Sequence, residues 1–159
     1  MTITKVLVPS GVLGLGFDIE ALKHGIKNKP DIISIDGGST DSGPASLGSG
    51  TSKYSRAAIK SEWKTLMQAR KEANVPLIIG TCGTCGTNSM VDWMEEITIE
   101  LAEELGQSLK IAKLYCEQNI DFLKNKLKIN RISPLEPAPT LNVHLLDDLS
   151  HVVALAGAE

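Results

Sequence analysis

The sequence predicts a three-layer α/β fold, a mainly parallel sheet of about five strands with helices on both faces. Three observations lead there. Short apolar runs alternate with helix-period segments along the whole chain. Val75 to Ile79 is a near-continuous apolar run of the kind that parallel sheets bury on both faces. Glycine-rich turns follow the first three runs, as they do where strands feed helices in Rossmann-like or flavodoxin-like domains.

Taken in order, residues 3–8 form the first predicted strand, ended by Pro9-Ser10-Gly11. A helix follows over Asp18–Lys27, with Ile19, Leu22 and Ile26 at helical spacing and Asn28 and Pro30 stopping it. Asp31–Ile35 is the second strand, and a long polar loop runs from Asp36 to Lys53. The next helix, Ser55–Ala73, sets Ile59, Trp63, Leu66 and Met67 on one face, and Val75–Ile79 is the third strand. The loop Gly80–Thr87 opens into a helix capped by Asn88 or Ser89 and stopped by Gly106. Leu109–Tyr115 reads as a fourth strand and Ile120–Leu127 as a short helix. A proline-rich connector over 133–139 leads to a helix at Leu141–Leu149, capped by Thr140, and Val152–Ala156 is the fifth strand. With the chain stopping at Gly157-Ala158-Glu159, part of the sheet is expected to lack its cover, which calls for a homo-oligomer, a second subunit over the last strand or a further C-terminal region.

Composition narrows the function classes. The chain has 159 residues, with 16 Lys+Arg, 19 Asp+Glu and a net charge of −3. A balance of that sign without a basic stripe argues against nucleic acid and anionic membrane as partners. The apolar share of 42% is too high for disorder. No apolar run approaches the ~18 residues of a spanning helix. Three cysteines make a poor disulfide scaffold, so a single cytoplasmic domain of 1–159 is the expectation.

Ligands of open parallel sheets bind at the C-terminal ends of the strands, near the switch point in strand order. The glycines concentrate at those ends. The first loop supplies Gly11 and Gly14, and the second supplies Gly37, Gly38, Ser39, Thr40 and Ser42. The third supplies Thr81, Gly83, Thr84, Gly86 and Thr87, with Lys53 and Tyr54 as candidate contacts beside them. Glycine lets the backbone approach a ligand closely, and amides with hydroxyls hold an anion. The expected ligand is a small carboxylate or phosphate. Asp36 and Asp41 are candidate acids or bases.

Cys82-Gly83-Thr84-Cys85 precedes a helix start, where thiol pKa values fall, so Cys82 and Cys85 are candidate catalytic thiols. A thiol–disulfide redox pair is the competing reading. A single CxxC without a second pair supplies too few ligands for zinc, and no metal is expected. Cys116 reads as core. The three histidines, His24, His144 and His151, do not point to catalysis, and His151 falls before the last strand, away from its C-terminal tip. Gly11, Gly14 and Gly16 miss the spacing of a dinucleotide fingerprint, so no redox cofactor is implied.

The segments Asp36–Pro44, Ile79–Gly86 and His151–Ala154, in this order and spacing, resemble the N-terminal part of the acyclic terpene utilisation (AtuA-type) family. The resemblance runs from the first glycine loop to the chain end. It implies catabolism of branched acids and their coenzyme A thioesters, and a chain that is one component of something larger. It brings no catalytic residues with it. The function expected is an enzyme or enzyme subunit of lyase, hydratase or hydrolase type acting on a small carboxylate or acyl-CoA. The alternative is a non-catalytic ligand-binding or interaction subunit.

Overall fold

The computed structural model describes residues 3–9, 11–38 and 44–154. Three parallel strands, β1 (Val6–Leu7), β2 (Ile32–Asp36) and β3 (Leu77–Gly80), lie side by side in the order β1-β2-β3. Register is set by Leu7 against Ile33, Ile33 against Leu77 and Ile35 against Ile79. Helix α1 (Ile19–Lys27) joins β1 to β2, and α2 (Pro44–Ser49) with α3 (Arg56–Ala73) joins β2 to β3. Helices α4 (Asn88–Glu104), α5 (Ile120–Lys128) and α6 (Val143–Asp147) complete the described elements.

The three-layer, five-strand expectation is therefore corrected to a two-layer arrangement. The reason lies in strand order. Right-handed crossovers place a helix on the same face each time the sheet advances in one direction, and only a reversal of order sends a helix to the other face. The order β1-β2-β3 never reverses, so the described strands contain no switch point. Registered neighbours share a face, and Leu7, Ile33, Ile35, Leu77 and Ile79 all join one hydrophobic cluster with α1, α3 and α4. On the opposite face Val6 is 55% exposed and Ile78 50%.

Helix α3 organises the core. Its N-cap Ser55 accepts the Ala58 amide, and its apolar stripe, Ile59, Trp63, Leu66 and Met67, is buried as the spacing requires. Each such side chain contributes about 1.5–3 kcal/mol of burial. Trp63 is also fixed in rotation, because its indole N–H donates to Thr98 Oγ1 of α4 at 2.9 Å. Asp18 caps α1 by accepting the Glu20 and Ala21 amides. Gly106, at φ +57, stops α4 as expected, with the Gln107 amide returning to the Ala102 carbonyl at 2.8 Å.

Two predicted strands are not strands among the described residues. Within Leu109–Tyr115, Lys113 and Tyr115 find partners on α4 in place of the sheet: Lys113 Nζ lies 2.9 Å from Asp92 Oδ1 and 2.7 Å from Glu95 Oε2, and Tyr115 donates to Asp92. The segment, with Lys110 and Lys113 breaking its apolar run, stays exposed over residues 110–115. Of Val152–Ala156, the described part makes one isolated antiparallel bridge, Val153 to Glu117, flanked by Gln118 N–H to Val152 O and Ala154 N–H to Cys116 O. Leu155 and Ala156 fall outside the described residues. Helix α2 forms inside the stretch expected to be loop, and α6 is capped by Asn142, not Thr140. None of the described helices is long and apolar enough to cross a membrane.

Candidate functional site

Parallel strands deliver their loops to one edge, and here the three glycine-rich loops are stitched together there. The Leu13 amide of the first loop donates to the Asp36 carbonyl at 2.8 Å, and the Gly37 amide donates to the Gly80 carbonyl at 2.6 Å. Gly38 presses on the third loop so closely that an added Cβ would sit 2.1 Å from Thr84 Cα. The Lys53 amide donates to Thr84 Oγ1 at 3.1 Å, which brings the segment before α3 onto the same loop. Lys53 Nζ lies 5.6 Å over the Tyr54 ring, and Tyr54 packs against Gly14. Ser39, Thr40, Asp41 and Ser42 of the second loop lie outside the described residues.

The first loop is already occupied. Gly14, held at φ +104, donates its amide to Glu62 Oε2 at 2.6 Å, and Gly16 donates to Glu62 Oε1 at 2.8 Å. Paired amides of this kind form an anion-binding nest, and a carboxylate of α3 fills it. Gly14 is thus committed to an internal partner, whereas Gly11 is exposed with open space around its Cα. Asp36 ends β2 half-buried and turns back, accepting the Gly38 amide on Oδ1 at 3.0 Å.

The third loop makes its turn through left-handed residues, Thr81 (φ +49), Gly83 (φ +59), Thr84 (φ +70) and Gly86 (φ +66). Two of these are threonines, a conformation that costs about 1–3 kcal/mol at a non-glycine residue and persists only where its surroundings hold it. Thr84 is held by the Lys53 amide and by burial. The loop hands over to α4 at Thr87, the true N-cap in place of the expected Asn88 or Ser89. Thr87 makes no side-chain cap bond. Its hydroxyl lies instead 3.4 Å from Cys85 Sγ and 3.0 Å from Ser89 Oγ.

Cys82, Cys85 and Cys116 are free thiols. The expected lowering of the Cys82 pKa is reversed: burial pushes the thiol up to about 11. Cys82 stands five residues before the N-cap of α4 and packs against the core cluster, so it meets the desolvation of the interior and not the dipole of the helix. Among the described residues no group of three or more His, Cys, Asp or Glu is placed to hold a metal ion.

One pair that the sequence did not single out stands beside these loops. Glu117 Oε2 accepts the Asn88 amide, the first of α4, at 2.9 Å, and Glu117 Oε1 lies 2.5 Å from His151 Nδ1. The hydrogen bonds from His151 and from the Asn88 amide hold the Glu117 carboxyl below its usual range. Val153 reaches Gly86, and His151 borders Gly50. The two partners are 34 residues apart, with no periodic pattern linking them. The only signal in the chain was an isolated histidine next to an apolar run. A separate depression of about 390 Å³, lined by Glu20, Lys23, His24, Lys27 and Glu72, runs along α1 beside the end of α3. It carries mixed charge, and its Lys23–Glu20 pair is widely exposed.

Together the loops and the pair define a two-layer α/β domain with a polar, glycine-walled edge and an acid–base couple beside it. No protein-family model, curated protein or solved structure matches the chain.

Proposed function

We propose that the chain is an enzyme, or one subunit of an enzyme, that acts on a small carboxylate or an acyl-CoA by lyase, hydratase or hydrolase chemistry. The observation that carries this reading is the convergence of loops 36–38 and 81–87 on one edge, knit by Gly37–Gly80 and Lys53–Thr84 bonds. These internal bonds hold the two loops in one fixed arrangement at the C-terminal ends of the strands, the end where open α/β sheets bind their ligands. The resemblance to the acyclic terpene utilisation family supports acyl-CoA thioesters as the substrate class, and the low, odd cysteine count supports a reducing cytoplasm as the setting. Acetyl-CoA is the test ligand. Its addition should shift the backbone amide resonances of Gly37, Gly38 and residues 81–87 and leave those of α5 and α6 in place. Shifts confined to the depression beside α1, or none, overturn the reading.

A second reading, a subunit that completes a larger assembly, has its own support in the bare sheet face with Val6 and Ile78. A covering partner would bury both side chains. Sedimentation equilibrium of the pure chain tests it. A monomer at all concentrations counts against self-association as the cover.

A further inference from the structure

We infer that His151 is the proton-transfer residue of the site at this loop edge and that Glu117 positions it, an inference that rests on the loop-edge reading above. A carboxylate can only accept hydrogen bonds, so Glu117 beside Nδ1 fixes the proton of the neutral imidazole on Nδ1 and leaves Nε2 with a free lone pair. Glu117 is itself anchored by the Asn88 amide at the start of α4, so the imidazole is tied to the element that the third loop feeds. The placement is partly dry and still reachable: the His151 side chain is 34% exposed and that of Glu117 20%. Nε2 faces Gly50, where an added Cβ would stand 3.3 Å away. Gly50 sits at φ +65 after α2, and a side chain at that position would crowd Nε2.

The step is a simple proton transfer. Nε2 takes a proton from a substrate C–H or from an attacking water, the electron pair stays on the carbon or oxygen that lost it, and Glu117 balances the imidazolium charge. The proton then returns from Nε2 to the leaving group or product, so no oxidant or further reactant is required. Glu117 remains ionised throughout, as an orienting carboxylate does in a catalytic triad.

Two measurements on the full chain decide the matter. Nitrogen-15 NMR of labelled histidine should find neutral His151 in the Nδ1–H tautomer, and Glu117→Gln should move it toward Nε2–H while His24 and His144 stay unchanged. Diethylpyrocarbonate, with each histidine followed by mass spectrometry, should modify His151. Acetyl-CoA at ten times its dissociation constant should slow that modification about tenfold, with His24 and His144 unprotected. A native Nε2–H tautomer overturns the inference even if Glu117→Gln fails to fold. Loop amides that respond to acetyl-CoA while His151 stays unprotected also overturn it and leave the loop-edge reading standing. If no loop amide responds, the loop-edge reading falls and this inference falls with it.

Discussion

Glu62 closes the first glycine loop on Gly14: its Oε2 accepts the Gly14 amide at 2.6 Å, and its second oxygen takes Gly16. A loop that reads as a ligand cradle is therefore a structural clamp between β1 and α3. Substituting Glu62→Ala leaves two amides without their carboxylate and should destabilise the fold by about 1–3 kcal/mol. Urea unfolding measures this, and an unchanged midpoint would show that water replaces the carboxylate without loss.

Gly38 and Gly48 make opposite predictions from the same residue type. At Gly38 a methyl group would collide with the Thr84 backbone at 2.1 Å, whereas at Gly48 nothing lies within 4 Å. Gly38→Ala should cost about 3 kcal/mol or more, since neither loop can retreat without breaking the Gly37–Gly80 bond. Gly48→Ala, in α2, should be within about 0.5 kcal/mol of neutral or mildly stabilising. Thermal unfolding of the two variants side by side provides the comparison.

Cys82 should be slow toward alkylating reagents. With its thiol pushed up to about 11, only about one molecule in a thousand carries the thiolate at pH 8. Iodoacetamide labelling of the native chain, read by mass spectrometry, should leave Cys82 largely unmodified until the protein is unfolded. Labelling at the rate of a free cysteine would contradict the burial described above.

Helices α3 and α4 are laced by charge, and the lacing has a pH signature. Lys60 bridges Glu100 and Glu104, reaching Glu104 Oε1 at 2.5 Å, while Lys64 holds Glu104 Oε2 at 2.8 Å and Arg56 holds Glu100 at 2.7 Å. The bonds from Lys60 and then Lys64 lower the Glu104 carboxyl from an ordinary 4.5 to about 2. A carboxyl depressed in the folded state stabilises it fully above its unfolded value and loses that contribution as pH falls through the folded one. The melting temperature should drop between pH 4.5 and pH 2, and Glu104→Gln should flatten part of that slope. Because these groups face water, 0.5 M salt (~4 Å Debye length) should weaken the effect as well.

Much of the fold is legible along the chain because its determinants are local. The stripe Ile59, Trp63, Leu66 and Met67, the caps Asp18 and Ser55 and the stop at Gly106 each act within one or two turns of helix. The positions of β2 and β3 follow from their apolar runs within one or two residues. The fate of Leu109–Tyr115 is not local. Its apolar residues suit a strand, yet Lys113 gains two carboxylates on α4, and those partners become visible only once α4 is in place.

The sequence by itself determined the βα alternation, the parallel sense of the strands and the gathering of glycine loops at one edge, because periodicity and turn chemistry act over a few residues. Tertiary structure decided the rest. Strand order set the layer count, since three strands that advance in one direction keep every crossover helix on the same face. It gave the Gly14 amide to Glu62, 48 residues away, and brought Glu117 to His151 across 34. Hydrogen bonds and ion pairs form wherever the fold brings complementary groups within about 3 Å, and spacing along the chain does not encode that distance.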